Sequence, residues 1–183
     1  LLFAPVVTHG GPSLKDREYL RELFLTRGFS ATHLNNYLAC PWRYFYVNLL
    51  RVPQPQEAHQ YYGSAVHKAL EITLNSNTKD LELLLSTFKK QMLDAAIPAM
   101  EREDFTERGI KALTGYWNTY HATWSGTMLT EFAVKGIELT PEIRLTGKLD
   151  RVDVLKDSVI VTDYKTGAPK SRNYLEGKTA DAT

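Results

Sequence analysis

Apolar positions recur at helical spacing up to about Trp124 and at alternate positions after it, and this change of period divides the chain. Ser13 stands as a cap before a helix that runs to about Arg27, with Gly28 as its stop. Ser30 caps a second helix, Ala31–Ala39, and Pro41 opens an aromatic one, Trp42–Leu50, where Trp42, Tyr44, Phe45 and Tyr46 crowd together. Arg51–Gln60 contains Pro53 and Pro55 and reads as a loop. Further helices are predicted over Tyr61–Asn75, Lys79–Ala95 and Phe105–Trp124, the last with Ile110, Leu113, Trp117 and Tyr120 near helical spacing. Met128–Leu139 then reads as a strand that Pro141 breaks. Gly147–Leu155 and Val159–Gly167 are strands joined by a turn at Lys156-Asp157-Ser158. Ala168–Thr183 is polar and reads as loop. Helices followed by an antiparallel meander predict an α+β fold. Residues 1–12 read as a linker and 13–183 as one domain.

Composition narrows the class. The 183 residues, 43% hydrophobic and 23% charged, match an ordinary globular domain with its own core. A net charge of +1 gives no global attraction to nucleic acid, so any basic surface is local. The single cysteine, Cys40, excludes an internal disulfide framework and a four-cysteine metal site supplied by this chain alone. Cys40 is expected to be a small buried residue, and an intracellular, cytoplasmic setting follows most simply. No apolar run is long enough to span a bilayer, so no membrane partner is expected. The chain starts at Leu1 without Met and stops soon after the last strand, and it reads as a piece of a longer polypeptide.

The candidate chemistry lies in the two C-terminal strands. Strand residues two apart share a face, so Asp163 and Lys165 project together with Tyr164 turned away. If the strands pair as a hairpin, Asp150 lies beside Asp163. Two carboxylates about 4 Å apart repel by roughly 4 kcal/mol at an effective dielectric near 20, and a divalent cation removes that cost. Asp153 falls on the face opposite Asp150 and is expected to pair with Arg151 or Lys156. On the predicted helix, Gly63, His67, Glu71 and Leu74 share one side. Taken alone, His67 reads as a packed or surface histidine. Glu131 reads as an exposed glutamate at the start of its strand, or else as an acceptor behind the ligands.

Taken together, a GxxxHxxxE helix, a GxxDRxD strand and a DYKTG strand resemble the RecB-type branch of the PD-(D/E)XK nuclease superfamily, as in AddB-like proteins and the C-terminus of UvrD/Rep-type helicases. FSATHLNNYLACPWRYFYVNLL resembles the family's opening, so the likeness spans roughly Phe29 to Gly167. The resemblance implies a nuclease fold that is incomplete at its C-terminus and a metal held by His67, Asp150, Asp163 and the Tyr164 carbonyl. Asp150, Asp163 and Lys165 are then the catalytic residues. Glu71 and Glu131 are the candidates for supporting carboxylates or for a second metal.

Mg²⁺ suits the oxygen donors, and the one imidazole shifts preference somewhat towards Mn²⁺. The implied reaction is hydrolysis of DNA phosphodiesters, on single strands or duplex ends, with a helicase region of the same or a partner polypeptide. The alternative is a nuclease-like module that binds DNA without cutting it. Arg43, Lys68 and Arg151, with Arg51 and Lys148, are candidate phosphate contacts. The aromatic residues at 42–46 and 61–62 are candidate base-stacking platforms. Some relatives hold an iron–sulfur cluster through four cysteines. With only Cys40 here, no such cluster is expected. The family's Gln/Tyr motif after DYKTG is also missing before Thr183.

Overall fold

A computed structural model describes residues 16–124, 126–168 and 171–176. The predicted linker at 1–12 and the Ser13 cap lie outside these residues. The first described helix, α1 (Arg17–Arg27), is capped by Asp16, whose carboxylate accepts from the Glu18 and Tyr19 amides.

The chain separates into two compact units, 1–53 with 134–147, and 54–133 with 148–183. In the first, α1 ends at Gly28, whose φ of 69° is left-handed and whose missing Cβ would stand 2.6 Å from Thr146 Cγ2. The chain can therefore pass close to residues 144–146. The Phe29 amide donates to the Arg144 carbonyl at 2.8 Å, and the Thr146 amide donates to the Phe29 carbonyl at 2.7 Å. Next comes α2 (Ala31–Ala39), with Ser30 Oγ accepting from the His33 amide.

Cys40 corrects an expectation: it is exposed. It occupies the extended link between α2 and α3 (Pro41–Arg43), where it caps both helices by its backbone and faces no core. The aromatic helix also differs from expectation. After α3 the backbone widens into a π-helix, Tyr44–Leu49. Here Trp42 stacks on Tyr46 with ring centroids 6.2 Å apart, and Phe45 packs edge-on to both.

The second unit holds the main core. Helix α4 (Ala58–Asn75) starts earlier than predicted because Glu57 and Gln60 form a capping box. It buries Tyr62, Ala65, Val66, Ala69, Leu70, Thr73 and Leu74, a stripe at the helical period. Helix α5 (Leu81–Leu93), capped by Asp80, adds Leu84, Phe88 and Met92. Helix α6 (Ala99–Tyr120) also starts earlier than predicted, directly after Pro98. Its Gly109 lies against Phe88, so that a Cβ there would fall on the ring. A short 3₁₀ turn, His121–Thr123, ends the helical part. Tyr62 stacks on Phe105 at 5.2 Å, which makes it a core residue rather than a base platform, and Tyr61 packs against the same core.

Strands β1 (Thr127–Glu138), β2 (Arg144–Val154) and β3 (Val159–Thr162) form an antiparallel sheet in the order β1-β2-β3. The β2–β3 register runs from Arg151 opposite Thr162 to Val154 opposite Val159. The observed order of helices and then a meander is α+β, as the periodicity predicts. Strand β3 stops well short of the predicted Gly167. From Asp163 the backbone turns its hydrogen bonds away from the ladder and onto side chains of α4 and β2. A four-residue helix, α7 (Arg172–Leu175), interrupts the predicted C-terminal loop. Among the described residues, no helix is long and apolar enough to cross a membrane.

Candidate metal centre

Three donors converge within the second unit: His67 from the middle of α4, Glu131 from β1 and Asp150 from β2, with one ligand atom of each within 4.8 Å of the others. All three are partly buried, and His67 and Glu131 line an open cleft of about 470 Å³ with Gly63, Lys68, Glu71 and Lys148. Gly63 brings the segment after β3 onto α4, since a Cβ there would lie 3.2 Å from Thr166 Oγ1. This accounts for the glycine one turn before the histidine.

The hydrogen bonds orient the imidazole. His67 Nε2 is 3.1 Å from the Tyr164 carbonyl. A carbonyl only accepts, so that nitrogen carries the proton. Nδ1 faces Asp150 Oδ1 at 3.5 Å and Glu131 Oε1 at 3.7 Å. These separations are long for hydrogen bonds.

Donors on one octahedral Mg²⁺ or Mn²⁺ stand about 3 Å apart when adjacent and about 4.2 Å apart when opposite, given bonds of roughly 2.1 Å. The spacing and the mixed nitrogen–oxygen donor set therefore fit such an ion after a small contraction. The second oxygen of Asp150 accepts from the Tyr164 amide at 2.6 Å, which fixes the carboxylate and ties it to the segment after β3.

The remaining sequence-predicted residues fall in other places. Asp163 and Lys165 stand together, with Lys165 Nζ donating to Asp163 at 2.8 and 3.0 Å, and both side chains are mostly exposed. The Asp163 carboxylate is not among the converging donors. It lines a separate cavity of about 870 Å³, bordered by Tyr116, Trp124, Arg151, Asp153 and Tyr164. The Tyr164 carbonyl, expected as a ligand, instead accepts from His67 Nε2, on the side of the ring away from the converging donors, and the Tyr164 amide donates to Asp150. The Tyr164 hydroxyl accepts from Tyr116 at 3.4 Å, and burial pushes its pKa well above the ordinary tyrosine value.

Arg151 does not stand open to phosphates. It is buried, donates to Asp153 at 2.7 Å and lies 5.6 Å from the centre of the Trp124 ring. Its partnership with Asp153, on the strand face opposite Asp150, is the one the alternation predicts. Lys68 pairs with Glu71 at 2.8 Å in the cleft, and Arg43 is exposed at the end of α3. Lys148 bonds Glu131, and this bond, reinforced by the charges of Glu71 and Asp150, holds its ammonium above the ordinary lysine range.

Glu131 is the donor that reasoning from the sequence undervalued. It is neither at the strand end nor exposed: its φ is 51°, left-handed for a non-glycine residue, and its side chain is 18% exposed. The alternation of β1 breaks at this point. Thr130 accepts from Asn75 of α4 while its neighbour Glu131 meets His67 on the same helix. Strict period-2 reasoning would turn one of the two away.

The profile of the PD-(D/E)XK nuclease superfamily matches residues 28–180. The chain belongs to this superfamily, a membership that indicates a nuclease. A search of curated protein sequences finds no significant match.

Proposed function

We propose that this chain is a divalent-metal-dependent DNA nuclease domain of the RecB type that works with a helicase region in cytoplasmic DNA repair or recombination. The carrying observation is the convergence of His67 Nδ1, Asp150 and Glu131 at distances that admit an ion. His67, Asp150 and Glu131 would hold Mg²⁺ or Mn²⁺, and the Tyr164 carbonyl, bonded to His67 Nε2, orients the imidazole. The bound ion would supply Lewis-acid polarisation of the scissile phosphate and acidify a water. Asp163 is assigned as a further carboxylate for the ion. That role rests on the match of DYKTG to the family motif and not on the position of the Asp163 carboxylate. Lys165 stabilises negative charge developing on the phosphate. Lys68 and Arg43 are assigned to phosphates, and Trp42 and Tyr46, exposed and mutually stacked, are assigned to unpaired bases. The RecB-type and helicase assignments rest on the order GxxxHxxxE, GKLDRVD, DYKTG.

A second reading, a module that binds DNA without cutting it, draws support from Asp163 and Lys165 standing apart from the donors. Calorimetric titration with Mn²⁺, together with a cleavage assay on linear DNA, separates the two. Asp150→Asn should lose both Mn²⁺ binding and cleavage. Lys165→Ala should bind Mn²⁺ normally and lose cleavage by about 10²–10³-fold, the usual effect of removing one transition-state donor. Full cleavage by Lys165→Ala sinks the mechanism. Metal and DNA binding by the unaltered chain without cleavage establishes the second reading.

A further inference from the structure

We infer that Lys148 is a displaceable internal cation that couples metal loading to capture of the nucleic-acid strand. The inference rests on the nuclease reading above and deepens it.

Lys148 is two residues before Asp150 on the same face of β2, and its ammonium bonds Glu131, one of the three converging donors. Glu131 is 18% exposed, whereas the Lys148 side chain is 61% exposed. The carboxylate is thus fixed in the protein, and the lysine is a long arm reaching it from solvent. Glu71 also lines the cleft, but Lys68 already engages it at 2.8 Å. In the metal-free chain Lys148 therefore supplies the positive charge that Glu131 and Asp150 require.

A divalent ion on His67, Glu131 and Asp150 takes over that role and repels the ammonium at short range. Released from Glu131, the side chain stays tethered at the lining of the cleft, within reach of a phosphate that approaches the ion. The cation that leaves the carboxylate is then free for a phosphate. Metal and strand consequently favour each other, and linkage makes the effect reciprocal.

The test uses the Lys165→Ala background, so that the strand stays intact, with MnCl₂ titrated by calorimetry and a labelled single-stranded oligonucleotide followed by anisotropy. Adding Lys148→Met should tighten Mn²⁺ binding about three- to tenfold, because a competing charge is gone. The gain in strand affinity on adding Mn²⁺ should shrink at least about fivefold relative to the chain that keeps Lys148, and Lys148→Arg should restore it. Equal Mn²⁺ affinity and equal coupling with and without the Lys148→Met substitution, while Asp150→Asn still abolishes Mn²⁺ binding, overturns this inference and leaves the nuclease reading intact. If the unaltered chain binds no Mn²⁺, both fall.

Discussion

Tyr164 joins both sides of the strand segment it follows. Its backbone touches His67 and Asp150, and its buried hydroxyl meets Tyr116. Burial holds the phenol neutral above the ordinary value of 10.0, so the folded chain resists an ionisation that the unfolded chain undergoes. With the folded pKa raised, the stabilisation is complete below about pH 10 and is lost as pH rises beyond it. Melting temperatures should therefore hold from pH 8 to about pH 10 and fall beyond it, and Tyr164→Phe should flatten that fall while costing about 1 kcal/mol near neutrality. An unchanged alkaline slope in that variant would place the effect on Tyr44 or Tyr62, whose pKa values burial also raises. At this scale, His67 entered as a candidate only through the order of motifs, since helix period alone made it an ordinary packed or surface histidine, and strand alternation offered Asp150 only as a neighbour of Asp163. Glu131 was not legible, since nothing in its neighbours announces a left-handed backbone within a strand. Nor was the exposure of Cys40, which follows from an extended link between two helices and not from the apolar character of a thiol.

The helices carry the core, and α6 shows how one element takes opposite demands. Gly109 and Gly115 both lower its helical propensity. Gly109 is filled from outside by the Phe88 ring, whereas nothing lies within 4 Å of a Cβ at Gly115. Urea denaturation should report opposite signs. Gly109→Ala should destabilise by about 1–2 kcal/mol, overpacking outweighing propensity, and Gly115→Ala should stabilise by up to about 1 kcal/mol. Stabilisation by both would mean that Phe88 moves aside freely. Element types were readable from the apolar period, and the starts of α4 and α6 were not. Glu57 with Gln60, and Pro98, are local start signals that the first apolar residue conceals. The end of β3 was hidden for another reason: DYKTG alternates as a strand would, but its backbone is claimed by His67 and Asp150.

Over the whole molecule, 22 basic residues are nearly balanced by 21 acidic ones, so attraction to DNA has to come from the few cations assigned to phosphates. With about three or four phosphates neutralised on a single strand, log affinity against log salt should have a slope of about −2 to −3. Anisotropy titrations across a salt series measure it, and a slope steeper than about −6 would demand a broad basic face that the assigned residues do not provide. The absence of a charge signature is also why function was legible only through motif order and not through composition. The left-handed backbone at Glu131 costs the fold about 1–3 kcal/mol, which glycine would largely return. Robustness and chemistry therefore compete for one position. A lineage released from the need to cut nucleic acid gains stability by discarding this glutamate first, so that decay of the enzyme would begin as an improvement in the protein.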